Sequence, residues 1–399
     1  MSWKQSTIGE VLSVIKNGIN CEQNKVPVGD KITRIETIAK QYFDFNRVGY
    51  ASLNEAEKEK SRVKKGDILF SHINSPIHVG KTAIYESDEV LFHGINLLLF
   101  RTIDDVNPHF FNLFLNYLFV TGYWEENCKK SVNQASVNQK DISKVKFSYP
   151  SLSLQNKIVS KIDAIYAEIG KALVASEVNA KNAESLFQSY LREIFTDNTC
   201  EMVKLSLLTD DISDGDHQPP PKAPSGVPFI TISNVNKITR EINFTDTFKV
   251  SREYYDNLKP NKKPIIGDVL YTVTGSFGIP IHIRTDDVFC FQRHIGLIRP
   301  SDKVDSRWLY WVMSSPQVFQ QAIDSATGAA QLTVSLKALR NFVIPYMSLD
   351  KQRMVVKRIE ELYKKTRLLA DNYQEKCDSL RILKSSILQK AFNGELVKE

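Results

Sequence analysis

Residues able to do chemistry are plentiful in this chain, but they do not fall into patterns that perform it. Asn107-Pro108-His109-Phe110 comes nearest to the Asp/Asn-Pro-Pro-aromatic motif with which adenine methyltransferases hold the amino group of a flipped base. It lacks the second proline, and no glycine-rich cofactor loop precedes it. The later segment that aligns with it, VDSRW, lacks the motif altogether. Asn107 is better read as a helix cap with Pro108 at the first helical position. VGKT at 79–82 ends like a phosphate-binding loop, but no glycine stands five residues before Gly80. EKEKSRVKK at 57–65 is rich in charge without the strand context of a nuclease carboxylate set. Histidines 72, 78, 93, 109, 217, 282 and 294 show no metal-ligand spacing. Cys21, Cys128, Cys200, Cys290 and Cys377 are scattered and form no CxxC pair, which predicts reduced thiols in a cytoplasm. The chain is expected to be non-catalytic, with no metal or cofactor of its own.

The elements that would position any site are announced by a duplication. Residues 155–195 and 352–392 align without a gap. Gln155, Val159, Ile162, Tyr166, Leu186, Ser189, Leu191 and Phe195 recur as Gln352, Val356, Ile359, Tyr363, Leu383, Ser386, Leu388 and Phe392. Each copy follows a proline-ended strand-like segment, KFSYP to Pro150 and NFVIP to Pro345. Each follows a β-rich block, and the landmarks of the two blocks correspond. KNG at Gly18 matches SDG at Gly215, and GDILFS at 66–71 matches GDVLYT at 267–272. LFHGINLLLFR at 91–101 matches FCFQRHIGLIR at 289–299. VNPHFF and VDSRWL both read as helix starts, capped by Asn107 and Asp305. Repeats dictate architecture. The 399 residues predict two to three domains, and no run is long and apolar enough to span a membrane. The N-terminus lacks the apolar core of a signal peptide. A net charge of +6 is compatible with nucleic acid without demonstrating it.

The repeated segments carry heptad seams. In the second, Ile359, Leu362, Leu369, Tyr373, Leu380, Leu383 and Ile387 fall on three- and four-residue steps, with Thr366 and Lys376 as imperfect positions. In the first, the series is Ile162, Ile165, Ile169, Ala172, Ser176, Asn179, Ala183, Leu186 and Tyr190. Two helices of about 40 residues follow, each on the order of 60 Å long. An antiparallel pairing about a pseudo-twofold would set Ile162 against Ile387, Ile165 against Leu383, Leu186 against Leu362, and Tyr190 against Ile359. The expected object is a dumbbell with a globular domain at each end of a rod. It suits a long ligand with a local twofold, such as duplex DNA, of which ~60 Å is roughly 17 or 18 base pairs.

The doubled GDIL/GDVL segments, the two proline-ended strands, and SLSLQNKIVSKID with MSLDKQRMVVKRIE closely resemble the specificity subunit of type I restriction-modification enzymes. The closing SSILQKAFNGELV resembles that family's C-terminus, and the match runs through the whole chain in the family's order. The resemblance implies an α+β fold with two mixed α/β target-recognition domains separated by two long antiparallel helices in a coiled coil. The expected boundaries are 1–150, 151–197, 198–346 and 347–399, for domain, helix, domain and helix. It implies that each domain reads one half of an asymmetric bipartite site in double-stranded DNA. It also implies that the helical regions bind two modification (methyltransferase) subunits, with restriction/translocase subunits completing the complex. S-adenosylmethionine, ATP and Mg would then belong to those partner subunits. A specificity subunit of a type II-like or orphan adenine methyltransferase, or a protein-binding adaptor, remains open.

Under that reading, base and phosphate contacts come from polar and basic side chains in loops. In the first domain, SHINSPIHVGK supplies Ser71, His72, Asn74, Ser75, His78 and Lys81, and KKSVNQASVNQK supplies Lys129, Lys130, Asn133, Gln134 and Asn138. In the second, TVTGSFG supplies Thr272, Thr274 and Ser276, QRH supplies Arg293 and His294, and SATGAAQLT supplies Thr327 and Gln331.

Overall fold

The computed structural model describes residues 3–131, 134–196, 200–217, 220–329 and 331–396. The chain forms two compact units: Met1–Ser176 with Glu375–Glu399, and Glu177–Gln374. Each unit therefore holds one β-rich domain, the start of the long helix that follows it, and the end of the other long helix.

In unit 1, Lys4–Thr7 pairs antiparallel with Lys146–Tyr149, so the domain begins and ends on adjacent strands. Its main sheet contains β1 (Leu12–Asn17), β2 (Ile68–Phe70), β3 (Thr82–Ile84) and β4 (Leu98–Thr102). The order is β1-β4-β2-β3, antiparallel throughout. Side chains alternate faces along a strand. Ile68, Phe70, Leu98 and Phe100 pack with Phe110, Phe111 and Leu115 on one face. Leu69, Leu97 and Leu99 pack with Ile38, Val48, Tyr85 and Leu91 on the other. Burial on both faces explains why ILF and LLLF are unbroken apolar runs. The helix α1 (Pro108–Val120) starts where expected, with the Asn107 side chain accepting from the backbone N–H of His109 and Phe110.

Unit 2 repeats this plan. Glu201–Lys204 pairs with Val343–Tyr346. The four-stranded sheet runs Thr209–Asp214, Ile295–Pro300, Val269–Thr272, Pro280–His282 in that order. Val269, Tyr271 and Ile298 pack with Trp308 and Leu309, while Leu270, Ile295 and Leu297 pack with Ile230, Ile281 and Phe289.

The repeated motif residues form the framework. Gly66 and Gly267 turn the chain in the left-handed region, at φ +83° and +96°. The next residue, Asp67, is fully buried. It accepts from the Lys64 backbone N–H at 2.8 Å and from Arg101 Nε and Nη2 at 2.7 and 2.8 Å. Asp268 does the same with Ile265 N–H at 2.9 Å and with Arg299 Nε and Nη2 at 2.9 and 2.7 Å. Hydrogen bonding to these carboxylates is the leading cause that raises both arginine pKa values. Gln155 and Gln352 are fully buried. Gln155 Oε1 accepts from Asn107 N–H, and its Nε2 donates to the Asp105 and Pro150 carbonyls. Gln352 repeats this with Asp305 N–H and the Lys303 and Met347 carbonyls. One amide thus fastens each long helix to the domain before it.

The long helices are α2 (Leu152–Phe195) and α3 (Leu349–Phe392), 44 residues each. Gly394, at φ +79°, follows the end of α3. Within unit 1 they run antiparallel: Tyr166 Oη donates to the Lys384 carbonyl at 3.1 Å, and Lys161 Nζ donates to that of Leu396 at 2.8 Å. Within unit 2, Phe187 packs against Tyr363 with centroids 5.0 Å apart and the rings tilted by 56°.

The seam differs from the one expected. Ile162, Ile359 and Ile387 are buried, and Ile165, Tyr190 and Leu362 are half-buried. Leu186 is 56% exposed, Leu383 47% and Leu369 43%, so these three do not hold the helices together. Phe187, Ala370, Cys377, Leu388 and Ala391 are buried instead. The reason is a second partner. Phe187 also packs on Trp311, and Phe392 packs on Phe110, Phe114 and Tyr117. Each helix turns its apolar face partly toward a domain, which rotates the buried stripe away from a pure two-helix seam.

Candidate nucleic-acid interface

Unit 1 joins the two polar stretches that the sequence sets far apart. Ile73–Asn74, Gln134–Ser136 and Lys129–Ser131 form a small antiparallel sheet, with Asn74 opposite Ala135 and Lys130 opposite Ala135 on the other side. The Val137 N–H donates to the His72 carbonyl at 2.9 Å, tying this sheet to the strand before it. Lys129, Lys130 and Gln134 are exposed on it, and Asn74 is half-buried. Asn74 Nδ2 donates to Ser71 Oγ at 3.3 Å. Lys81 Nζ donates to the Ala39 carbonyl at 2.9 Å, which ties its charge to the backbone. Asn133 lies outside the described residues.

Unit 2 builds the same junction with fewer strands. Thr333 bridges to both Thr274 and Thr327, and the Val334 N–H donates to the Val273 carbonyl at 2.8 Å, as Val137 does to His72. Thr327 and Gln331 are exposed, and Ser276 is half-buried. Arg293 is exposed beside them, its backbone N–H held by the Asp216 carbonyl at 3.0 Å. Its Nε donates to His294 Nε2 at 3.4 Å. Burial first, and the Arg293 charge second, lower the His294 pKa and keep that nitrogen an acceptor.

Four expected contact residues are instead part of the scaffold. Ser71, His72, Thr272 and Thr274 are all buried. Thr272 Oγ1 donates to the Ser276 carbonyl at 2.8 Å and accepts from the Ile279 N–H at 2.9 Å, closing the loop on itself. A tight turn leaving a buried sheet must satisfy its backbone groups, and a hydroxyl does so locally. His72 Nε2 meets Asn17 Nδ2 at 3.3 Å, and Asn17 Oδ1 accepts from Gln139 Nε2 at 2.5 Å. This Gln139–Asn17–His72 chain braces the small sheet against the main one, and burial lowers the His72 pKa. Asn17 and Gln139 were not singled out by sequence. The one available signal is Asn17's place beside Gly18 in the repeated KNG/SDG landmark. Gly18 permits the close backbone approach there, since a Cβ would sit 2.3 Å from the His93 and Gly94 carbonyl oxygens.

Among the described residues no group of His, Cys, Asp and Glu is placed to hold a metal ion, and no helix is long and apolar enough to cross a membrane. What remains at each junction is a set of exposed amides, hydroxyls and cations on a rigid base. Such groups hydrogen-bond base edges and phosphates.

Residues 1–176 and 209–376 match the family model of the type I restriction modification DNA specificity domain. A putative type I restriction enzyme MjaX specificity subunit of Methanocaldococcus jannaschii is 28% identical over 384 residues, covering 90% of this chain and 86% of the relative. A solved chain from work on complex assembly and conformational transition of the type I R-M system superposes with a TM-score of 0.76 at 19% identity, covering 99% of this chain and 98% of that one. The HsdS subunit from Thermoanaerobacter tengcongensis superposes with a TM-score of 0.59 at 19% identity, covering 99% and 97%. These two likenesses establish the fold.

Proposed function

This chain belongs to the family of type I restriction modification DNA specificity domains, and on that premise we propose that it supplies the address for a DNA-modifying complex while partner subunits supply the reaction. Each domain reads one half of an asymmetric bipartite site in double-stranded DNA. The observation that carries this reading is a shared framework bearing unlike exposed groups. The buried Asp–Arg pair and the buried glutamine recur in both units. The exposed groups at the junction do not: Lys129, Lys130 and Gln134 in one unit, Arg293, Thr327 and Gln331 in the other. Equal scaffolds with different side chains at the reading position suit two different half-sites.

The chain itself is non-catalytic in this reading. S-adenosylmethionine, ATP and Mg act in the modification and restriction subunits. Docking of those subunits falls to the long helices, whose outward positions include the exposed Met354, Leu368 and Ile382 at fourteen-residue steps.

The test is single-molecule sequencing of N6-methyladenine in cells with and without this chain, in the presence of its neighbouring modification subunit. The expected result is a two-part, asymmetric methylated motif that disappears with the chain. An active modification subunit with no chain-dependent motif would refute the reading and favour a protein-binding adaptor.

A further inference from the structure

A cleft in unit 1, away from the groups assigned above, encloses about 480 Å³. Its lining includes Lys25, Arg34, Glu36, Asn46, Arg47 and Tyr50. Three cations from three separate stretches of chain face one carboxylate in the lining, with Asp44 beside Arg47 just outside it. The two arginines are held in place. Arg34 Nε lies 3.4 Å from Glu36 Oε2, and Arg47 Nε lies 3.8 Å from Asp44 Oδ2. Asp44 also caps the short helix Phe45–Arg47 by accepting from the Asn46 N–H. Gly49 leaves room for the Arg34 stem, since a Cβ there would lie 3.2 Å from Arg34 Cδ and 2.9 Å from Gln23 Oε1. The wall beyond is tied by paired backbone hydrogen bonds between Asn24 and Tyr50, both 3.0 Å.

A base edge is read by one guanidinium or amide in a fixed fork. Several cations spread over a cleft, joined by an amide and a phenol, are the contact set of the sugar-phosphate backbone. Position agrees. Asn17 braces the reading junction through His72, and Asn24 flanks the cleft. Seven residues of chain reach at most about 25 Å, less than the ~34 Å of one duplex turn. Asn24, at the cleft, therefore lies less than one duplex turn from Asn17, at the junction. Unit 2 offers a different set there: Thr231 precedes the short helix in place of Arg34, and Lys249 pairs with Ala223 where Tyr50 pairs with Asn24.

We propose that this cleft binds a backbone phosphate of duplex DNA beside the bases read by unit 1, anchoring that half of the site without reading sequence. The inference rests on the DNA-reading function proposed above. The test is duplex binding by the full-length chain, purified with whatever subunits accompany it, against a variant carrying Lys25→Ala and Arg47→Ala. Binding is followed by fluorescence anisotropy over a range of salt concentrations, with a duplex bearing the methylated motif and a scrambled one. The expected variant binds both duplexes more weakly by a similar factor, and its slope of log K against log salt is shallower by about 0.9, the value for one lost phosphate contact. Arg47→Lys, which keeps the charge, should retain most of the slope. Unchanged affinity and slope in the double variant, with the parent binding normally, overturns the phosphate site alone. A loss confined to the motif duplex overturns it in favour of base reading. Failure of the parent to prefer the motif duplex over the scrambled one removes the DNA-reading premise itself.

Discussion

Two buried groups set the residue-scale expectations. Asp67 meets both Arg101 and a backbone N–H while fully buried, so Asp67→Ala strands a guanidinium and opens the turn before β2. Removing one partner of a buried pair costs about 3–5 kcal/mol. Arg101 is about one-third exposed and regains some water, so the lower end is expected, read as a loss of unfolding free energy in denaturant titration. His93 is fully buried, with Nε2 3.0 Å from the Leu97 carbonyl, and burial lowers its pKa to about 4. The unfolded chain would titrate near the ordinary value of 6.5. Between these values the unfolded state binds the extra proton, so stability falls as pH drops from 6.5 toward 4 and levels off below. His93→Gln should make the stability–pH curve shallower in that window than the parent's, and parallel curves would contradict this. The partners of Asp67 and His93 could not be picked from sequence: Arg101 lies 34 residues from Asp67, and His93 sits in the apolar run LFHGI, which shows no hydrogen-bond partner. Ser71 and Thr272 misled in the opposite direction. Their hydroxyl chemistry suits base reading and tight turns equally, and only burial separates the two.

At the scale of elements, the glycine turns, the capped helices at Asn107 and Asp305, and the proline-bearing strands were legible, because each depends on local backbone chemistry, although the second strand runs one residue past Pro345. The facing side of the long helices was legible only in part. A heptad count finds a stripe, but a helix with two partners buries a broader face than the count predicts. This makes a sharp contrast between neighbours. Phe187, 5% exposed between Trp311 and Tyr363, should cost about 3–5 kcal/mol when replaced by alanine. Leu186, 56% exposed, should cost no more than about 0.5 kcal/mol. Thermal denaturation of the two variants side by side checks it, and similar losses would mean that the two-helix seam is the true one. The joining of Gln134–Ser136 to Ile73–Asn74 was not legible at all, since strand partners far apart in sequence leave no local signal.

At the scale of the molecule, the repetition was plain in the sequence and the division of labour was not. The two units share a framework but differ in the charge they offer at the reading junction: two exposed lysines in unit 1, one exposed arginine in unit 2. Arg293→Ala is expected to cost about 1–3 kcal/mol in binding and to relax sequence preference in one half of the motif only. Lys129→Ala with Lys130→Ala should act on the other half, chiefly by flattening the salt dependence. Methylation profiling of the two variants checks both. Relaxation in the same half by both would contradict the assignment of one half-site to each unit.

The strands that open and close each domain have a wider consequence. Lys4–Thr7 lies beside Lys146–Tyr149, and Glu201–Lys204 beside Val343–Tyr346, so the chain enters and leaves each domain at one point. A domain held at a single doorway can be exchanged as a cassette, because a replacement needs only the same two strands and the following glutamine to fasten itself to the helix. An exchange bounded by those two strands would replace what one domain presents while leaving the other domain and the long helices untouched.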